Sequence, residues 1–135
     1  MFETLISKLQ EDKYLTLETT PQHEPSMHNI VEKIKKFKID SKVDGFTCTD
    51  NPLAKLKYNS LFAALKLQQE FKKPVIATMT MRDRNKIALQ SDLLGANDFD
   101  IRAILALTGD PANMSDQPNS KGVFEANSLM LLKII

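Results

Sequence analysis

The chain has 135 residues, 42% of them hydrophobic and 26% charged, with a formal net charge of +1. That is the size and composition of one globular domain, and so balanced a charge gives no reason to expect a nucleic-acid or membrane partner. No apolar run approaches the ~18 residues of a transmembrane helix, the first residues lack the order of a signal peptide, and a lone Cys48 excludes an internal disulfide or a multi-cysteine metal site, so the expected compartment is the cytoplasm.

Met1 to Gln10 places Phe2, Leu5, Ile6 and Leu9 on one side of an amphipathic helix. A strand-then-helix pattern then runs four times. Tyr14–Thr19 (YLTLET) reads as the first strand. Ser26 reads as the cap of a helix to about Lys38 that buries Ile30, Val31, Ile34 and Phe37. Val43–Thr49 (VDGFTCT) is the second strand. Asp50, Asn51 and Pro52 signal a helix start, and the helical pattern holds from Leu56 to Phe71. Val75–Met81 (VIATMTM) is the third strand, with Asp83 as cap for a helix from about Arg84 to Ala96. Ala103–Gly109 (AILALTG) is the fourth, and a last helix is expected from near Gly122.

This alternation predicts a parallel sheet with crossover helices. One parity of each strand reads as polar: Thr16 and Glu18, Thr47 and Thr49, Thr78 and Thr80 followed by Arg82, and Ala106, Thr108 and Asp110. The other is apolar: Leu15 and Leu17, Phe46 and Cys48, Val75, Ala77 and Met79, Leu105 and Leu107. A sheet covered on both faces is apolar on both. A single polar face favours the inner wall of a (β/α)8 barrel, near the mouth where strand C-termini converge. A whole barrel takes about 250 residues. The expected fold is therefore α/β, a partial TIM barrel of four β-α units. On this reading residues 1–135 are the N-terminal half, continued in a longer chain or completed by a partner chain in a homo-oligomer.

Glu18 sits at the end of an apolar strand. A closed pocket would desolvate its charge, raise its pKa and suit it to general acid work. A rim carboxylate bonded to local amides or to Arg82 is the structural alternative. Asp110 lies in Gly-Asp-Pro, good turn chemistry, yet its parity sets it beside Glu18 as a second carboxylate. Thr49, Thr80 and Thr108 offer hydroxyls, while Arg82 and Arg84 suit an anionic group or the carboxylates. His23 and His28 lack a second ligand at metal spacing, so no metal is assigned. No glycine-rich phosphate motif is present. The loop PANMSDQPNSKG is long enough to be a lid or a binding loop.

The motifs LETTP, FTCTDNP, TMTMRDRNKIALQSDLLGA and ILALTGDP resemble the methylenetetrahydrofolate reductase family of flavin-dependent barrels. The last two are close to the branch that includes fusions to a homocysteine methyltransferase domain. The resemblance implies that NAD(P)H reduces FAD, which reduces 5,10-methylenetetrahydrofolate to 5-methyltetrahydrofolate. It places the catalytic glutamate at Glu18, the aspartate beside the flavin at Asp110, and a flavin-contacting threonine at Thr49. Thr80, Thr108 and Arg82 complete the expected cofactor-binding set. Many relatives have a histidine where this chain has Thr78, and the family's later strands supply much of the FAD phosphate and adenosine binding. A second reading is a non-catalytic half-barrel acting as a folate-binding or assembly partner. A third, a folate-dependent methyl-transfer domain, rests on fold analogy alone.

Overall fold

The computed structural model describes every residue except Asp12. Helix α1 (Phe2–Gln10) is followed by β1 (Thr16–Thr19), α2 (His28–Lys36), β2 (Gly45–Cys48), α3 (Ser60–Phe71), β3 (Val75–Thr80), α4 (Lys86–Asp98), β4 (Ala103–Leu107) and α5 (Ser128–Ile134). The strands pair in parallel, in the order β1-β2-β3-β4. The sheet is not closed, so the architecture is a partial (β/α) barrel.

Register fixes which residues share a face. Glu18 pairs with Thr47, and Thr47 with Ile76. Thr78 pairs with Leu105 and Thr80 with Leu107. Directly opposed residues project to the same side of a sheet. The inner wall therefore carries Thr16, Glu18, Thr47, Ile76, Thr78 and Thr80, and also Leu105 and Leu107. This corrects the parity read for the fourth strand. Ala106 pairs with Met79 and packs with it beneath the helices. The sequence of β4 misleads because its inward residues are apolar, and Leu105 and Leu107 stand 48% and 41% exposed on the open wall.

The other face forms the core, as the second and third strands predict; of the first strand's pair Leu17 packs against it but Leu15 is exposed. Phe46, Cys48, Val75 and Ala77 pack against Met27 at the start of α2, Val31 and Ile34 of α2, and Ala63, Ala64 and Leu67 of α3. Met79, Met81, Leu89 and Leu131 form a second cluster under α4 and α5. The small Ala63 and Ala64 let α3 lie close to the sheet, where buried Ser60 donates to the Thr78 carbonyl at 2.9 Å.

Side chains that satisfy the first amides set the helix starts. Asn59 accepts from Leu61 and Phe62 N–H and starts α3 at Ser60, later than Leu56. Pro52–Ala54 forms only a 3₁₀ turn. Asn85, not Asp83, caps α4 by accepting from Ala88 N–H. Asn127 caps α5 in the same way, so the last helix starts at Ser128 and not near Gly122. No described helix is long and apolar enough to cross a membrane.

Cys48 is fully buried, and burial pushes its thiol from 9.0 up to about 12. The folded chain thus holds this proton more tightly than the unfolded chain. The associated stability is intact below about pH 9 and is lost as pH rises toward 12. At pH 8 the Cys48 thiol of the folded chain should react with a disulfide reagent on the order of 100-fold more slowly than in urea. Equal rates would mean that the first core cluster is not packed as described.

Candidate active site

The C-terminal ends of the four strands and the loops that leave them carry most of the buried charge. Asp50 follows β2, and its carboxylate is only 1% exposed. It accepts from Thr80 N–H at 2.9 Å and from Thr80 Oγ1 at 3.1 Å. It also accepts from Arg84 Nη1 at 2.6 Å. Arg84 reaches on to Asp92 of α4, donating from Nε at 2.9 Å. Burial works against the Arg84 charge most strongly. The pull of Asp50, and then the bonds to Asp50 and Asp92, outweigh it and hold the guanidinium pKa above its ordinary value. One carboxylate thus joins the exits of β2 and β3 to the following helix.

Arg82 is the largest fully buried side chain. It donates from Nε and Nη2 to the Asp83 carboxylate at 2.7 and 2.6 Å, and from Nη2 to the Asn51 carbonyl at 3.1 Å. The hydrogen bonds to Asp83 are the main cause of its raised pKa, and they hold Asp83 below the usual carboxylate range. Within the charge cluster after β3, Arg82 and Asp83 pair with each other, while Arg84 pairs outward with Asp50 and Asp92.

The β2–α3 loop is fastened to its neighbours. Thr49 N–H donates to the Thr19 carbonyl and Tyr58 N–H to the Gln22 carbonyl. On the opposite side Leu53 N–H donates to Asp110 at 2.7 Å and Leu56 N–H to Asp116 at 3.0 Å. Between these ties Asn51, Leu53 and Ala54 all have φ near +50°, a region costly for residues other than glycine. Gly109 has φ +100°, and a Cβ there would come within 3.0 Å of Arg82 Cβ and 3.1 Å of Thr80 Cβ. Glycine is needed where the β4 exit passes the end of β3.

A cleft of about 350 Å³ opens at this end of the inner wall. Glu18, Thr49, Thr80, Thr108 and Asp110 all line it, together with Asp50, Thr78, Leu105 and Leu107. Arg82 does not line it; it lines a separate pocket behind the β2–α3 loop. Glu18 is exposed, and among the described residues its side chain has no hydrogen-bond or ion-pair partner. The enclosure expected around it is not supplied by four strands. Asp110 is both a turn residue and a member of the cleft. Thr108 accepts from Ser128 N–H at 3.3 Å, which links the cleft to the start of α5. Thr80 Oγ1 is taken by Asp50. Thr49 Oγ1 is buried and has no partner among the described residues.

The sequence reading missed Asp50 as a site residue and treated it as helix-start chemistry. Its signal was a carboxylate directly after a buried strand, with two arginines after the next strand. Among the described residues no group of three or more His, Cys, Asp or Glu is placed to hold a metal ion.

The family model described as methylenetetrahydrofolate reductase matches residues 3–134. The chain belongs to the methylenetetrahydrofolate reductase family. Comparison with curated proteins and with solved structures gave no match. Membership is in a family of oxidoreductases of one-carbon metabolism, and the partial barrel agrees with its fold. Within that family fold, Asp110 has a measurable structural duty. Asp110→Ala should raise hydrogen exchange at the Leu53 amide by about tenfold or more, because a bond to a charged acceptor is lost. Exchange at Ala63, inside α3, should not change. Unaltered exchange at Leu53 would show that Asp110 does not hold the loop.

Proposed function

We propose that the cleft is one wall of a flavin-dependent site that reduces 5,10-methylenetetrahydrofolate to 5-methyltetrahydrofolate with NAD(P)H, complete only in a longer chain or an assembly. The supporting observation is the meeting of Glu18, Thr49, Thr80, Thr108 and Asp110 along one cleft of a chain of this family.

The residues present fit part of a flavin. A planar, largely apolar ring needs apolar wall and a few fixed polar groups. Leu105 and Leu107 offer the wall, and Thr49, whose buried hydroxyl has no partner among the described residues, belongs to the same lining. Among the described residues no cation lines the cleft, so the cleft itself has no charged partner for the cofactor's phosphates. FAD, when bound, supplies the carrier that takes hydride from the nicotinamide and delivers it to the folate. Thr49 and Asp110 would hold and orient it, with Thr80 and Thr108 shaping the wall around them.

Glu18 is free to work as a proton donor because no neighbouring side chain claims it. Its role is to pass a proton to the amine nitrogen at the folate's methylene bridge, so that the carbon–nitrogen bond opens to the reactive iminium. That role needs a protonated carboxyl group near neutral pH, which calls for the enclosure that closure of the barrel would provide. Asp110, already bonded to the Leu53 amide, is the fixed negative charge of the pair.

Titration of FAD into the purified chain, followed by flavin absorbance and fluorescence, should show saturable binding. Thr49→Val should weaken it about 3- to 10-fold by removing one hydroxyl. Failure of FAD to bind would mean that this half alone holds no flavin. In the active assembly, Glu18→Gln should leave flavin reduction by NAD(P)H intact and slow folate reduction by ~10²-fold or more. Equal loss of both half-reactions would contradict the proton-donor role.

A further inference from the structure

The pocket behind the β2–α3 loop is distinct from the cleft. It has a volume of about 130 Å³ and lies between Asn51 and Leu56 on one side and Ala112 to Lys121 on the other. Its walls are held in place by the Asp110–Leu53 and Asp116–Leu56 hydrogen bonds and by the bond from Val123 N–H to the Arg82 carbonyl. A ligand would therefore meet a largely preformed site, and preorganisation removes much of the ordering cost of binding.

Arg82 lines this pocket with a side chain only 2% exposed. Its Nε and Nη2 are satisfied, but Nη1 is buried without a partner among the described residues. A buried guanidinium nitrogen without an acceptor is costly, and native proteins supply one from protein, water or ligand. Lys121 lines the same pocket and forms no ion pair among the described residues. Ser120 and Gln117 add polar groups. The one carboxylate in the lining, Asp83, is bound to the Nε/Nη2 edge of Arg82. Among the lining side chains Arg82 and Lys121 stand against Asp83 alone; Asp110 and Asp116 lie just outside the lining, each bonded to a backbone amide of the β2–α3 loop.

We propose that this pocket binds a small oxyanion of the phosphate or carboxylate class, held by Arg82 and Lys121 with the hydroxyl of Ser120. A cation would meet Arg82 and Lys121 in the lining itself. The volume admits a single tetrahedral or planar anionic group and not a nucleotide. The site shares no lining residue with the cleft, and its test uses no flavin. Failure of either reading therefore leaves the other standing.

The direct test is an NMR titration of the 135-residue chain with inorganic phosphate, and separately with acetate, at ionic strength held constant with sodium chloride. The Arg82 Nε–H signal and the amides of Ser120 and Lys121 should shift and saturate, with a Kd on the order of 1–10 mM. Lys121→Gln should weaken the response about tenfold by removing a charge-assisted contact. Lys133→Gln, on α5 and outside the pocket, should leave it unchanged. Saturation by phosphate alone or by both anions fits the site and distinguishes a phosphate from a carboxylate ligand. Absent or non-saturating shifts, or the same response in Lys121→Gln as in the parent chain, would overturn the proposal and leave water as the partner of Arg82 Nη1.

Discussion

The C-terminal rim of this sheet depends on one buried carboxylate. Asp50 leaves β2, reaches the backbone and hydroxyl of Thr80 at the end of β3, and draws Arg84 inward toward α4. Removing such a carboxylate from water costs several kcal/mol, which only good geometry and several hydrogen bonds can offset. Here the acceptor is met by a backbone amide, a hydroxyl and a guanidinium. The β2–β3 ladder holds the two strands at a fixed spacing only as far as the Cys48–Ala77 pair, and beyond it the exits need another tie. Asp50 supplies that constraint between β2 and β3, and Arg84–Asp92 extends it to the helix. The Asp110–Leu53 bond does the same between β4 and the β2–α3 loop.

These ties explain how an unclosed sheet can present an ordered wall. Most polar residues of the rim are paired among themselves. Of the groups left without partners among the described residues, Thr19 Oγ1 and Arg82 Nη1 lie outside the cleft, while Glu18 and Thr49 Oγ1 belong to its lining. Below them the wall is apolar and open at Leu105 and Leu107. In a closed barrel inward side chains fill the centre in layers. In the site proposed above, the exposed leucines would be the surface that further barrel wall covers.

Much of this was legible in the sequence. Alternation of polar and apolar residues in the first three strands gave the face that meets the helices, and Thr47, Thr78 and Thr80 fall where it put them. The fourth strand was misread because AILALTG is apolar on both parities. Only its register with β3 decides that Leu105 and Leu107 turn inward. Helix starts were misplaced for a related reason. Asp50 and Asp83 have the chemistry of caps, but nearby arginines took their carboxylates, and Asn59 and Asn85 did the capping. Local propensity cannot foresee a partner that folding brings from 34 residues away. The motifs around Glu18, Thr49 and Asp110 were more informative, because they led to the family independently of strand register.

The central claim is that the Asp50–Arg84 pair organises the rim before any ligand arrives. A double-mutant cycle on Asp50→Asn and Arg84→Gln, measured by urea unfolding, tests it most directly. A buried, geometrically favourable pair predicts a coupling of about 1–3 kcal/mol with little dependence on salt. A coupling below about 0.5 kcal/mol, the scale of an exposed pair, would contradict it.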